Sequence, residues 1–238
     1  MILLTRPHED SHLMAQELAK HGVDSFIAPL FEIEFIPQAF EPNNFDAFIF
    51  TSKNAVRVYC QHYDIRDKAV FAVGAATAEL AKQLGFKQIT TANGTVDELI
   101  KTITRSVTDY KLKLIHIAGE EVTGDLAQEL LTSDLICKEI MLYRKHYVRN
   151  LHQETIAKIS KNAFHGIVFL SPNTASAFNQ LIEKHELCDS IKLCTAFCIS
   201  KNTADKLIAK WWENIAVAKE PNQKALITSI IESYNNHI

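Results

Sequence analysis

The chain contains one unit twice, and this internal repeat constrains its fold more than any other feature. Ser52 and Ser171 occupy matching places 119 positions apart, and Thr77 and Thr203 match 126 positions apart. The matched segments are 45–55 with 164–174, 71–80 with 197–206, and 2–4 with 114–116. The unit of roughly 115 residues is far longer than the 20 to 50 residues of a solenoid repeat. The sequence therefore predicts two similar domains.

Within each copy, short apolar runs alternate with helical segments. Runs rich in Val, Ile and Phe predict buried strands at 47–50, 69–73, 114–118 and 167–170. Ser52 and Ser171 each follow such a run as expected helix N-caps, and Pro7 and Pro172 are predicted as first helical residues. A repeated order of strand, turn and helix is typical of parallel sheets with helices on both faces.

Two segments depart from this order. Residues 30–37 and part of 139–145 alternate between apolar and polar side chains with a period of two. Such alternation predicts strands with one exposed face. Each segment follows the second strand of its copy, so we expect the two to pair as a connector between the domains.

Composition and charge exclude several classes of protein. A hydrophobic share of 47% and a charged share of 22% are typical of globular chains. No apolar run approaches the roughly 18 residues of a membrane span, and the residues after Met1 lack the pattern of a signal peptide. We therefore expect a cytoplasmic protein without a membrane partner. The net charge of -3, without a basic block, predicts no nucleic-acid partner.

Cysteine, histidine and glycine motifs do not indicate a cofactor. The five cysteines form no C-x-x-C pair, which argues against a disulfide framework or a zinc ribbon. His8 and His12 match the H-E-x-x-H pattern of zinc proteases, but we interpret them as part of a polar first helical turn. Residues 119–124 have the glycine spacing of a P-loop, yet Asp125 and Leu126 replace the required lysine and hydroxyl residue. No metal site is predicted.

Six turns are candidates for ligand binding because each follows a predicted strand. In open parallel sheets, ligands bind beyond the carboxyl ends of the strands, where helix N-termini favour carboxylates and phosphates. The turns are rich in small and hydroxyl side chains and comprise residues 5–7, 51–54, 74–77, 118–120, 171–174 and 200–203. Helix capping alone is the alternative explanation for the Ser and Thr residues. Conservation of the turns between the two copies favours a ligand site on both domains.

Taken together, these residues resemble the uroporphyrinogen-III synthase family of tetrapyrrole biosynthesis over nearly the whole chain. The fragments that carry the resemblance are Thr5-Arg6-Pro7, Phe50-Thr51-Ser52 with Asn54-Ala55-Val56, Ala72-Val73-Gly74 with Thr77-Ala78, Leu142-Tyr143-Arg144, and Phe169-Leu170-Ser171-Pro172. The resemblance implies two doubly wound, flavodoxin-like α/β domains joined by a two-stranded antiparallel connector. The first domain would comprise 1–30 and 149–238, the second 38–137, and the connector strands 31–37 and 138–148.

The resemblance also implies a reaction and its residues. The substrate would be hydroxymethylbilane, a linear tetrapyrrole that loses its terminal hydroxyl as water and closes to a macrocycle with its last pyrrole ring inverted. Tyr143 matches the tyrosine that assists the departing hydroxyl, and the substrate would lie in a cleft between the domains. Six further residues would bind the substrate, namely Thr5, Arg6, Ser52, Thr77, Ser171 and Thr203. The protein would need no cofactor and would act as a monomer, with transient contact to the preceding, bilane-forming enzyme.

Three places depart from the family pattern. Ser200 stands where a glycine is usual, Trp211-Trp212 where a helix-ending glycine is common, and Glu120-Glu121 where the family often has an arginine. A different class of protein remains open on the residues alone, namely a two-domain sensor that closes on a small anion without chemistry. A metallohydrolase built on His8 and His12 is a third alternative.

Overall fold

The chain forms two compact α/β units. A computed structural model describes residues 1–92, 95–107, 111–121 and 126–235. Unit 1 consists of Met1–Glu32 and His146–Ile238, and unit 2 of Ile33–Lys145. The division of the chain between two domains and a separate connector, with the boundaries given above, stays a prediction. Among the described residues, no helix is long and apolar enough to cross a bilayer.

Unit 1 is built on a five-stranded parallel sheet. Its strands are β1 (Ile2–Leu4), β2 (Ser25–Ile27), β9 (Gly166–Phe169), β10 (Thr195–Cys198) and β11 (Asn214–Val217). They lie in the order β11-β10-β9-β1-β2, and each neighbouring pair is parallel. Its helices are α1 (His8–Ala19), α6 (Gln153–Ser160), α7 (Pro172–Lys184), α8 (Lys201–Ala204) and α9 (Gln223–Asn235).

Apolar side chains cover both faces of this sheet. On one face, Met14 of α1 and Ile230 of α9 pack on Ile2 and Leu4. On the other face, helices α6, α7 and α8 pack on the sheet, and the buried Phe178 of α7 belongs to this core. A sheet buried on both faces explains why its strands are short, continuous apolar runs. The predicted doubly wound architecture is confirmed.

Unit 2 is built on a six-stranded sheet with helices on both faces. Its strands are β3 (Phe31–Phe35), β4 (Ala47–Phe50), β5 (Ala69–Val73), β6 (Ile89–Ala92), β7 (Lys113–Gly119) and β8 (Ile136–Tyr147), in the order β3-β8-β7-β4-β5-β6. Its helices are α2 (Lys53–His62), α3 (Ala75–Gln83), α4 (Val96–Ser106) and α5 (Leu126–Leu131). Helices α2 and α3 pack on one face, and α4 and α5 pack on the other.

Each sheet combines strands from both copies of the sequence repeat. The first two strands of the first copy, β1 and β2, lie beside the last three of the second copy, β9, β10 and β11. In the same way, β7 and β8 of the second copy lie beside β4, β5 and β6 of the first. Numbered by place in the repeat, both sheets contain the strand order 2-1-3-4-5, which is the flavodoxin-like order, and the second sheet has β3 as an additional edge strand. Neither copy of the repeat contains a whole sheet.

The two alternating segments form the strands β3 and β8 at an edge of the second sheet. The N–H of Ile36 donates to the carbonyl of Leu142 (2.8 Å), and the N–H of Val148 donates to the carbonyl of Leu30 (2.9 Å). Residue numbers therefore rise along one strand and fall along the other, as in an antiparallel pair. A two-pronged ion pair between Arg144 and Glu34 spans the same strands, with N–O distances of 2.9 and 2.8 Å.

Most of the predicted local signals are confirmed. The hydroxyl of Ser52 accepts from the N–H of Ala55 and caps α2, and Ser171 caps α7, whose first residue is Pro172. The prediction for Pro7 is wrong by one position, because Pro7 is the N-cap of α1 and His8 the first helical residue. The ψ of 151° at Pro7 is extended, so the chain turns into the helix only after the proline ring.

Candidate functional site

Each sheet has a switch point at the carboxyl ends of its strands, where the chain connections leave in opposite directions. In unit 1 this point lies between β1 and β9, and in unit 2 between β4 and β7. The loops that leave a switch point in opposite directions form a crevice, which is the usual ligand site of doubly wound sheets. Thr5, Arg6 and Ser171 flank the first switch point, and Ser52 and Gly119 flank the second.

In unit 2 the structure brings two predicted site residues into contact. The hydroxyl oxygens of Tyr143 and Ser52 lie 2.7 Å apart. Gly119 lies under the tyrosine ring, because a Cβ built on this glycine would be 2.5 Å from the ring carbon that carries the hydroxyl. The backbone also holds the tyrosine, since the N–H of Glu120 donates to its carbonyl at 2.9 Å. Tyr143 is thus fixed at the switch point by a side chain, a glycine and the backbone.

A β-bulge aims Tyr143 at Ser52. Along β8 the partners shift, so that Ala118 pairs with Met141 whereas Gly119 pairs with Tyr143. Leu142 is the extra residue, and it packs in the same core as Tyr143. Strict alternation would send Leu142 and Tyr143 to opposite faces of the sheet. The bulge turns the tyrosine back to the face on which α2 begins.

The Tyr143 hydroxyl stays protonated at neutral pH. Burial raises the pKa of Tyr143 above its usual range, and the Glu121 carboxylate adds to this rise, while the hydrogen bond with Ser52 opposes it. Ser52 already accepts a hydrogen bond from its helix, so its own proton can point to the tyrosine oxygen. Tyr143 is then free to donate its proton in a hydrogen bond to a bound molecule.

The fit between Gly119 and Tyr143 gives a testable prediction. Gly119→Ala should destabilise the protein by about 1–3 kcal/mol, because the new methyl group occupies the space of the buried ring. Urea unfolding of the single and double variants would measure this cost. In a Tyr143→Ala background the methyl group has room, so the cost of the glycine change should disappear there. The same loss in both backgrounds would contradict the predicted clash.

The predicted Thr77 lies one strand further along the same sheet edge. It belongs to the first turn of α3 and is largely buried. The preceding Gly74 has a φ of 76°, in the left-handed region that favours glycine. The role predicted for Thr77 in substrate binding stays a prediction.

In unit 1, the predicted Thr5 and Arg6 are held by contacts within the unit. The Thr5 side chain is fully buried and donates to the carbonyl of Val168 at 2.6 Å. Arg6 pairs with the buried Asp10 at 2.6 Å, and the hydroxyl of Ser11 donates to the Arg6 carbonyl at 2.8 Å. Asp10, which our sequence analysis missed, fixes the guanidinium beside a small crevice at the switch point.

The remaining predicted residues of unit 1 are Ser171 and Thr203. Ser171 accepts from the N–H of Thr174 and lies 2.7 Å from its hydroxyl. Thr203 is fully buried, and its hydroxyl lies 3.1 Å from that of Ser200. Ser200 caps α8 from an extended backbone with a φ of -154°, so serine replaces the family glycine here without strain. Contact of Ser171 and Thr203 with a substrate stays a prediction.

The metal motifs do not form a cluster in the described part of the chain. His8 and His12 lie in the first helical turns of α1, with their rings 6.3 Å apart. Over residues 1–92, 95–107, 111–121 and 126–235, no three His, Cys, Asp or Glu side chains are placed to hold a metal ion. The last residues of the P-loop-like segment, 122–124, and the adjacent Asp125 lie outside the described residues.

Comparisons of the sequence with a family model and with curated proteins point to the same family. Residues 13–228 match the family model described as Uroporphyrinogen-III synthase HemD. The chain is 25% identical over 263 aligned positions to "Porphyrin biosynthesis protein HemD" of Ruminiclostridium josui, covering 97% of this chain but 48% of that protein. It therefore spans about half the length of that relative. The alignment to "Uroporphyrinogen-III synthase" of Chlorobaculum parvum is 20% identical and covers 87% and 89% of the two chains.

A solved structure supports the fold. The crystal structure of uroporphyrinogen-III synthetase from Helicobacter pylori 26695 aligns with a TM-score of 0.66 and 19% identity. The alignment covers 97% of this chain and 98% of that one. At this identity the likeness concerns the fold alone.

Proposed function

This chain belongs to the uroporphyrinogen-III synthase family, whose model matches most of its length, and we propose that it converts hydroxymethylbilane to uroporphyrinogen III. The reaction removes the terminal hydroxyl as water, inverts the last pyrrole ring and closes the macrocycle. The observation that carries the proposal is the Tyr143 hydroxyl, held 2.7 Å from Ser52 at the switch point of unit 2. A buried, protonated hydroxyl is suited to assist the departure of another hydroxyl.

In the proposed mechanism, Tyr143 donates a hydrogen bond to the hydroxyl that leaves. Because burial raises its pKa, the phenol keeps its proton in the resting protein, and transfer accompanies departure of the hydroxyl rather than preceding it. Ser52 donates to the phenol oxygen and stabilises the negative charge that develops there. Ring closure later releases one proton from the attacked pyrrole carbon, which balances the proton that the phenol gave to the departing water. Departure leaves a cationic azafulvene, which the pyrrole nitrogen stabilises, so modest assistance suffices.

The second task of the protein is to impose geometry. The free bilane also closes without inversion, so the chain must hold the substrate in the curl that brings the inverted ring into position. We propose that the N-termini of α2 and α7, capped by Ser52 and Ser171, bind carboxylates of the substrate with backbone N–H groups. Arg6, kept in place by Asp10, supplies a cation at the rim of unit 1.

Within this proposal, the protein acts as a cytoplasmic monomer that needs no cofactor. It takes hydroxymethylbilane by transient contact with the enzyme that forms it. This contact would shorten the time in which the unstable bilane can close spontaneously.

The isomer ratio of the product tests the proposed function. Fresh hydroxymethylbilane is incubated with the protein, the products are oxidised, and the type I and type III uroporphyrins are separated. We expect type III to dominate, with or without a chelator. Type I alone, formed at the spontaneous rate, would contradict the proposal and leave an anion-binding sensor as the alternative.

A further inference from the structure

His116 is a buried ionisable side chain that the mechanism above does not use. It lies in the middle of β7 with 1% of its surface exposed. Its Nε2 is 3.1 Å from the hydroxyl of Thr51, and its Nδ1 is 2.8 Å from a carboxylate oxygen of Glu139. Thr51 follows β4 and Glu139 lies in β8, the two strands on either side of β7. A chain of hydroxyl, imidazole and carboxylate thus crosses three strands.

The chemistry of the three groups fixes the direction of both hydrogen bonds. Burial lowers the pKa of His116, although the Glu139 carboxylate opposes this, so the imidazole is neutral at pH 7. A carboxylate can only accept, so the proton of the ring is on Nδ1 and points to Glu139. Nε2 is then an acceptor, and Thr51 must donate to it. The Thr51 hydroxyl therefore donates its one hydrogen bond to His116. Towards any other molecule it can act only as an acceptor.

This acceptor lies at the same sheet edge as the donors of the site, with its hydroxyl towards the face that α4 and α5 cover. Thr51 is partly exposed at the switch point of unit 2, directly before Ser52. The other groups at this point, the N-terminus of α2 and the Tyr143 hydroxyl, are donors suited to carboxylates and to a departing hydroxyl. In the part of the chain that the structure describes, His116 is the one hydrogen-bonding partner of the Thr51 hydroxyl. A hydroxyl oxygen has two lone pairs, so Thr51 is able to accept a hydrogen bond while it donates to His116.

We propose that Thr51 is a specificity-determining residue that accepts a hydrogen bond from a pyrrole N–H of the substrate, with His116 and Glu139 as its positioning residues. The inference rests on the proposed function, because each pyrrole ring of a bilane carries such a donor. A contact to the ring nitrogen fixes which way the ring faces, which carboxylate contacts on flexible side chains cannot do. Orientation of a ring is the property that separates the inverted product from the uninverted one.

Few ionisable groups surround His116. From β8, Glu139 faces the ring, and the Cys137 thiol lies at the backbone of His116, where burial raises its pKa to about 12 and keeps it protonated. Helices α4 and α5 cover this face of the sheet with apolar side chains such as Leu99. On α4, Glu98 and Lys101 pair with each other at 3.0 Å in exposed positions. Among the described residues, Glu139 is therefore the charge that acts on the imidazole.

The first experiment compares Thr51→Val with Thr51→Ser. Valine keeps the shape of the side chain but has no acceptor, so kcat/KM for type III product should fall about tenfold, the effect of one lost hydrogen bond of ordinary strength. With enzyme in excess, the share of type I product should rise. Serine keeps the hydroxyl and should restore both readouts to near the native values. Thermal melts of the two variants report any difference in folding.

The second experiment uses pH. A protonated His116 would donate to Thr51 and end its role as a fixed acceptor, so kcat/KM should fall on the acid side of the pKa of His116. Glu139 favours the protonated ring, so Glu139→Gln should move this acid limb to lower pH. Glu139 is partly exposed, with 38% of its side chain accessible, so this change should be tolerated by the fold.

The outcomes separate the two proposals. If the native protein forms no type III product, the proposed function fails and this inference with it. If the native protein is active but Thr51→Val keeps its kcat/KM and isomer ratio, the assignment of Thr51 is overturned alone. An acid limb at the same pH in Glu139→Gln would remove His116 and Glu139 from the positioning role.

Discussion

Tyr143→Phe is expected to lower kcat for type III product about 100-fold, with a change in KM of less than about threefold. The substitution removes the hydroxyl that assists departure but keeps the ring in its buried place over Gly119. Proton transfer by a positioned side chain contributes at least this factor in many enzymes. Because the hydroxyl acts on the departing group, its loss affects the transition state more than substrate binding. Steady-state kinetics with fresh hydroxymethylbilane would measure both constants.

A matched control is available in the same core. Tyr59 of α2 is fully buried, and its hydroxyl donates to the carbonyl of Ile65 at 3.2 Å, away from Ser52. Tyr59→Phe should therefore leave kcat near the native value. If Tyr143→Phe had the kinetics of Tyr59→Phe, Tyr143 would have no part in the mechanism.

Phe178→Ala should destabilise unit 1 by about 3–5 kcal/mol, the usual cost of deleting a large buried aromatic side chain. The ring of Phe178 is fully buried, with its centroid 5.1 Å from that of Phe169 and 6.0 Å from that of Trp212. The two tryptophans of the chain, Trp211 and Trp212, both belong to unit 1. Tryptophan fluorescence during urea unfolding therefore reports on this unit, and its midpoint should fall.

The control for this change is Leu193→Ala, also in unit 1. Leu193 is 70% exposed, so its truncation should change the free energy of unfolding by less than about 0.5 kcal/mol. Equal midpoints for Phe178→Ala and the native protein would show that the aromatic cluster carries little of the stability of unit 1.

Much of the local structure could be predicted from the sequence. Strands such as 47–50 can be predicted because a strand buried on both faces is apolar throughout. Ser52 and Ser171 can be predicted because serine is favoured at helix N-caps, where its hydroxyl accepts from a backbone N–H. The exchange of strands between the two copies is harder to predict from the sequence. It depends on pairing between distant segments, which local patterns do not encode.

The details of the site depend on such distant pairing. Alternation along β8 predicts Leu142 and Tyr143 on opposite faces, and only the bulge opposite Gly119 brings Tyr143 to Ser52. The contact of His116 with Thr51 joins residues 65 positions apart, so it follows from the order of the strands. A histidine inside an apolar run was the one local signal. The cleft predicted between the two domains stays a prediction.

The strand exchange has a consequence for the order in which the protein can fold during synthesis. Unit 2 is one continuous stretch, Ile33–Lys145, so its sheet can be completed as soon as that stretch has left the ribosome. Strand β1 is made first but must wait for its neighbour β9, with Ile2 paired to Gly166. At 5–20 residues per second, this wait lasts roughly 10–30 s. During that time Ile2, Leu3 and Leu4 lack their neighbours on one side, so side chains that are buried in the folded protein stay exposed to water.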